Sequence, residues 1–162
     1  AARRLGGEGI EIVLVGTGQL AAELLPRARG VPGLVVVDRF EPPEAIDALL
    51  RGAHAGLGVF GETEKAGRVV PLKAALTIAH GRALVTRDGP AAREALGDGT
   101  ALLVPPRDPD ALAEALRQLA ADRALVERLA RAGRARYEAR FAPDAVTRAF
   151  LDALSERGLL PV

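Results

Sequence analysis

The alternation of short apolar runs with helix-compatible stretches constrains this chain more than any other feature of its sequence. Residues 10–15 (IEIVLV) are a β-branched run carrying one charge, and they end in Gly16-Thr17-Gly18. A helix-compatible stretch follows over residues 19–25, which Pro26 is expected to stop. Residues 34–37 (LVVV) do not alternate with polar ones, the pattern of a strand covered on both faces in a parallel sheet. Glu41-Pro42-Pro43-Glu44 then sets a helix start, with Ala45, Leu49 and Leu50 on its apolar side. A glycine-weakened third strand spans residues 55–60, and a polar loop, 61–70, precedes Pro71, which opens a helix over 72–79. Strands at 82–86 and 101–104 complete the series, with a short helix at 90–96 and an Asp98-Gly99 turn between them. The expected fold is α/β, a Rossmann-like doubly wound parallel sheet of about five strands with residues 34–37 and 82–86 in the same sheet.

After Val104 the pattern turns helical. Asp108 is an N-cap with Pro109 at the first helical position, and Leu112, Ala115, Leu116 and Leu119 recur at helical spacing. Residues 123–140 and 144–157 add two helices, separated by Phe141-Ala142-Pro143. A length of 162 residues, 49% of them apolar, predicts one domain over 1–162 and excludes disorder.

Several function classes drop out on composition. The formal charge is +1, from 22 basic and 21 acidic residues, which leaves no electrostatic footprint for nucleic acid. The absence of cysteine removes disulfides, thiolate metal sites and a cysteine nucleophile. The only serine, Ser155, lies in the final helical stretch, so a serine triad is not readable. No apolar run reaches the length of a transmembrane segment and residues 1–9 lack a signal peptide's apolar stretch, so a cytoplasmic protein is expected. The chain has no methionine, which suggests an excised piece of a longer polypeptide.

Two constellations could carry chemistry. Gly16-x-Gly18-x-x-Ala21 follows a strand and opens a helix, and Asp38 stands at the end of the next strand. That satisfies a dinucleotide fingerprint, in which backbone approaches a pyrophosphate and a carboxylate holds a ribose diol. NAD binding through Gly16, Gly18 and Asp38 is therefore one reading, and a purely structural βα turn is the other. The second constellation is Lys65-Ala-Gly-Arg68-Val-Val-Pro71-Leu-Lys73, which holds both lysines of the chain at a strand's carboxyl end and a helix amino end. Free amides and the helix dipole favour an anion there, and a diphosphate would fit; a solvated basic loop is the alternative. His54 and His80, the only histidines, sit at helix ends where capping explains them, and Glu94 and Asp98 are read as capping or ion-pairing residues.

The segments VLVGTG (13–18), VVVDRFEPPEAIDALL (35–50), KAGRVVPLKAALTIAHGRALVTRDGPAAREAL (65–96) and DGTALLVPPRDPDALAEAL (98–116) together resemble the C-terminal half of a GT-B glycosyltransferase of family four. The likeness runs through residues 10–155 and rests on the order of its parts: the glycine turn, Pro71 and Lys73, Ala79-His80-Gly81, Glu94, Asp98-Gly99, and Val104-Pro105-Pro106 before Asp108-Pro109. It implies one half of a retaining, metal-independent enzyme that binds a nucleotide-sugar donor such as a UDP- or GDP-sugar, with no other cofactor. Lys65, Arg68 and Lys73 would neutralise the donor diphosphate, and Arg39 and Phe40 would lie near the base. Two departures follow from the same resemblance. The glutamate positions of the family, five residues before Gly81 and eight earlier, hold Leu76 and Arg68 here, and a leucine cannot accept hydrogen bonds from a ribose diol. The resemblance also implies a strand and helix before the VLVGTG strand, of which only residues 1–5 are expected to remain, and an N-terminal acceptor-binding domain that is expected to be missing. The isolated chain is accordingly expected not to catalyse transfer.

Overall fold

The computed structural model describes residues 1–18 and 20–159. A 3-10 turn, Ala2–Arg4, is followed by β1 (Ile12–Val15), α1 (Ala21–Ala28), β2 (Leu34–Val37), α2 (Pro43–Gly52), β3 (Ala55–Leu57), α3 (Glu64–Arg68), α4 (Leu72–Ala79), β4 (Ala83–Arg87), α5 (Pro90–Leu96), β5 (Leu102–Val104), α6 (Pro109–Ala121), α7 (Arg123–Arg140) and α8 (Pro143–Glu156). The expected α/β class holds, and every strand pairing is parallel.

β4 is the centre. Its Ala83, Leu84 and Val85 have no exposed surface. Because successive strand residues face opposite ways, Ala83 and Val85 enter one apolar cluster with Leu5, Val104, Leu129 and the α6 residues Ala113, Leu116 and Leu119. Leu84 enters the other, with Ala74 and Ile78 of α4 and Ala92 and Leu96 of α5. β4 is thus covered on both faces, whereas residues 34–37, the run read as a strand covered on two faces, leave Val35 43% exposed. Two glycines let other elements pack tightly against α4. A Cβ on Gly56 of β3 would stand 2.1 Å from Thr77 Oγ1 of α4, and one on Gly133 of α7 would stand 2.8 Å from Ile78 Cγ2.

The strands do not form one sheet. β1 pairs with β2 in register Ile12 to Leu34 through Val15 to Val37, while β3, β4 and β5 form a separate three-stranded sheet in that order. Residues 34–37 and the β4 strand are therefore in different sheets, contrary to the expectation. An apolar run identifies a strand, but which edge it pairs with is decided through space. Here the second edge of β1 and the second edge of β3 are both left without a strand among the described residues. The β1–β2 pair is correspondingly less covered than a parallel sheet normally is, with Val13, Leu14 and Val35 each more than a third exposed.

Two further corrections concern helices. Pro26 does not stop α1 but lies inside it. The backbone bond that proline forgoes would end on Ala22, which is exposed and open to water, and Glu23 and Arg27 pair across the same turn at 3.1 Å. Gln19, where this helix was expected to begin, lies outside the described residues. The 61–70 loop contains α3, started by Thr63, whose Oγ1 accepts from the Ala66 amide at 3.2 Å.

The C-terminal helices follow their caps. Asp108 Oδ1 accepts from the amides of Asp110 (3.0 Å) and Ala111 (2.8 Å), with Pro109 at the first helical position. Asp108→Ala should cost about 1 kcal/mol of stability, measurable by urea denaturation, because two amides at the start of α6 lose their acceptor. A change of under about 0.3 kcal/mol would mean water replaces the carboxylate without loss.

Candidate functional site

The carboxyl ends of β3 and β4 and the amino ends of α4 and α5 surround a shallow crevice whose lining includes Gly67, Val70, Pro71, Thr86, Arg87 and Gly89. Open α/β sheets bind ligands in this position because loops and helix starts converge there with free amides. α4 begins at this crevice for a local reason: Pro71 is held in extended backbone at the N-cap and cannot cap with a side chain. The first amides of α4 thus have no side-chain partner. Thr77 then anchors the helix from inside, its buried hydroxyl donating to the Lys73 carbonyl at 2.8 Å.

The three cations singled out from the sequence flank the crevice without lining it. Lys65 and Arg68 lie on α3, beside the lining residues Ala66 and Gly67, and Lys73 lies in the first turn of α4 between Pro71 and Ala74. Arg68 is committed to Glu64, one turn earlier on the same helix. Neither lysine has a carboxylate partner among the described residues. Lys73 keeps more than a third of its surface exposed, yet surrounding atoms desolvate its ammonium enough to lower its pKa from the ordinary lysine value. A cation with a desolvation cost and no counter-ion is stabilised by an arriving anion.

The other predicted residues belong to the β1–β2 pair. The Gly16 amide donates to the Val37 carbonyl at 3.0 Å, and Gly16 adopts φ +120°, a conformation that favours glycine. The Gly18 carbonyl accepts from the Ala21 amide at 2.9 Å. Asp38 is exposed at the end of β2, Arg39 pairs with Glu41 at 2.6 Å, and Phe40 is 81% exposed. No hydrogen bond or ion pair among the described residues joins the 16–18 turn or residues 39–40 to the basic 65–73 segment. Leu76 lies on α4 with 36% of its surface exposed, so it is a surface leucine and not a core one.

Sequence reasoning missed three side-chain arrangements. His80 caps α4 as expected, its Nδ1 lying 2.8 Å from the Leu76 carbonyl, but its Nε2 also reaches Asp47 of α2 at 2.6 Å. Asp47 and Arg51, one turn apart on α2, form a further pair, so α2 is tied to the end of α4. At the end of β4, Arg93 grips Asp88 with two bonds of 2.6 and 2.5 Å and holds its carboxyl below the usual aspartate range. Arg87 instead turns back onto main-chain carbonyls of the loop before α3. The His80–Asp47 and Arg87 contacts join residues 24 to 33 positions apart, which leaves no periodic trace. Glu94 contributes only its carbonyl, to Arg136 at 3.0 Å and Arg140 at 3.4 Å, and His54 is exposed just past α2. No group of three or more histidine or acidic side chains is placed to hold a metal among the described residues.

No helix among the described residues is long and apolar enough to cross a membrane. No curated protein sequence matches the chain. Residues 1–122 match the family described as Glycosyl transferases group 1, which covers β1 through α6 and includes the crevice with its three flanking cations. The chain, an α/β protein with a parallel-stranded core built around β4, belongs to the glycosyl transferases group 1 family.

Proposed function

We propose that this chain is the donor-binding half of a retaining glycosyltransferase that takes a hexose-type sugar from a nucleotide diphosphate such as UDP or GDP and passes it to an acceptor. The observation that carries the reading is Lys73, an ammonium without a carboxylate partner in the first turn of α4, whose leading amides no side chain caps. The diphosphate would sit at that helix start, where amide donors and the dipole favour negative charge, with Lys65 and Arg68 supplying charge from α3. Gly16-Thr17-Gly18 would let backbone approach the donor from the β1 side, and Arg39 and Phe40 would lie by the base. The chain itself supplies binding and orientation of the donor. Transfer requires an acceptor-binding domain on the other side of the cleft, so this chain alone would hold a donor without turning it over. The free second edges of β1 and β3 support the view that further chain, a strand of the family's preceding segment, completes the sheet.

The NAD reading of Gly16, Gly18 and Asp38 leaves the Lys65 to Lys73 segment without a role. Calorimetric titration with UDP, GDP and NAD separates the two. Binding of UDP or GDP without NAD is the expected result, and binding of NAD alone would reverse the assignment.

Leu76 tests the register of the site. It stands where the family resemblance calls for a ribose-holding glutamate, and its exposure means a carboxylate there would not be buried. Leu76→Glu is therefore expected to leave the melting temperature within about 2 °C of the parent, since exposed substitutions usually shift stability by under ~0.5 kcal/mol. It should also tighten UDP or GDP binding by about threefold to tenfold, the worth of one net hydrogen bond to a ribose hydroxyl. Equal or weaker binding in a variant that melts normally would place the ribose elsewhere.

A further inference from the structure

Arg87, the last residue of β4, continues the sheet with its own amide, which donates to the Val59 carbonyl at 2.8 Å. Its guanidinium makes no ion pair among the described residues. Nη1 donates to the Gly61 carbonyl at 2.7 Å and to the Thr63 carbonyl at 3.3 Å, and Nε donates to the Asp88 carbonyl at 3.2 Å. All three acceptors are main chain, and two of them flank the entry to α3. Thr63 is itself the N-cap of that helix. The neighbouring carboxylate does not compete, because Asp88 is held by Arg93. Two glycines lie against the guanidinium, one on α3 and one at the start of α5: a Cβ on Gly67 would stand 3.4 Å from Nη2 and one on Gly89 would stand 3.6 Å from Nε.

α3 has five residues and buries none of its side chains, too short and too exposed to hold its place by helix propensity or core packing. α3 also lies against α5, with Ala66 and Gly67 sharing the crevice with Ala92 and Leu96. The other side-chain tether on this loop is weaker: Arg107 pairs with Glu62 at 2.5 Å, with both side chains more than half exposed. A planar guanidinium with donors in a fixed fork can hold carbonyls from two segments at once, which an ammonium does less well.

We propose that Arg87 is a positioning residue: it latches residues 61–68 to the end of β4 and thereby sets where α3 presents Lys65 and Arg68 beside the crevice. The inference rests on the donor-site reading for its consequence, but the latch itself can be read without any nucleotide. Lys65 and Arg68 are tryptic sites within the latched segment, so their cleavage rate under native conditions reports how often the segment opens.

The experiment compares the parent chain with Arg87→Ala, Arg87→Lys and the control Arg107→Ala, scoring cleavage after Lys65 and Arg68 by mass spectrometry and UDP and GDP affinity by calorimetry. Arg87→Ala is expected to raise cleavage at both sites by about tenfold or more and to weaken nucleotide binding by about tenfold, while Arg107→Ala stays within about twofold on both readouts. Arg87→Lys should recover part of each loss, and it carries the comparison if the alanine variant lacks a cooperative melt. Cleavage unchanged in the Arg87 variants would overturn the latch. Faster cleavage with nucleotide affinity equal to the parent's would overturn the positioning role, since the segment would then be held for stability alone. A parent chain that binds neither UDP nor GDP would sink the donor-site reading, and the latch would stand or fall on cleavage.

Discussion

Gly56→Ala should destabilise the chain by about 2 to 3 kcal/mol, near the upper end of what overpacking costs, and lower the melting temperature by about 5 to 10 °C. The added methyl would overlap the Thr77 side chain, with Oγ1 at 2.1 Å, Cγ2 at 2.6 Å and Cβ at 2.9 Å. Thr77 has little room to turn away, because it is 2% exposed and its hydroxyl is bonded to the Lys73 carbonyl. The strain therefore falls on the β3–α4 contact, the one that holds the start of α4 beside the crevice. Gly52→Ala is the matched control. Gly52 ends α2 with open space around its Cα, so alanine there should be neutral or gain up to about 1 kcal/mol from helix propensity. Thermal denaturation of the two variants side by side measures the difference. A loss below about 0.5 kcal/mol in Gly56→Ala would show that α4 can slide on β3, and would weaken any argument that places Lys73 by that packing.

In Lys73→Ala, nucleotide affinity should fall about tenfold to hundredfold while stability moves by less than about 0.5 kcal/mol, because a charge-assisted contact to a diphosphate contributes roughly 1.5 to 3 kcal/mol. The pH dependence has a definite sign. Desolvation lowers the folded-state pKa of Lys73, so its charge opposes folding at neutral pH and that penalty fades as pH rises through the lowered folded value toward the ordinary one. Removing the side chain therefore relieves a cost at pH 7 and does not create one. Nucleotide affinity of the parent chain should decline as pH rises through the same region, and Lys73→Ala should lack that component. Calorimetry at neutral and alkaline pH measures both, and an affinity unchanged by the substitution would sink the donor-site assignment.

Much of the scaffold around the crevice was legible because it is punctuated by residues with strong local preferences. α4 was expected over residues 72–79 and α5 over 90–96, and both are found there, each opened by a proline and closed next to a glycine. α6 follows from Asp108-Pro109 in the same way. β3 was read over residues 55–60 and spans Ala55–Leu57, although Gly58 and Val59 still bond to β4, the Gly58 amide to the Val85 carbonyl and the Val59 carbonyl to the Arg87 amide, each at 2.8 Å. α3 was not legible at all: five residues contain too little periodicity to register, and residues 61–70 were read as a loop. Of the site, the cluster of Lys65, Arg68 and Lys73 was visible as charge. The Arg68–Glu64 pairing and the Arg87 contacts that place α3 were not.

The sequence by itself determined the class of this protein and the local frame of its candidate site. Non-alternating apolar runs between helix signals specify parallel strands of an α/β protein, and the two lysines, unusual in a chain whose other basic residues are arginines, mark one strand-to-helix junction. The tertiary structure alone decided which strands are neighbours, dividing them into a pair and a triplet, and which side chains meet at the crevice. The reason is physical. Helix caps and strand periodicity are properties of adjacent residues, and they act before the chain is compact. Edge pairing, the overlap of Gly56 with Thr77 and the reach of Arg87 to Gly61 depend on segments brought together from 17 or more positions apart, and their energies exist only once the core around β4 has formed.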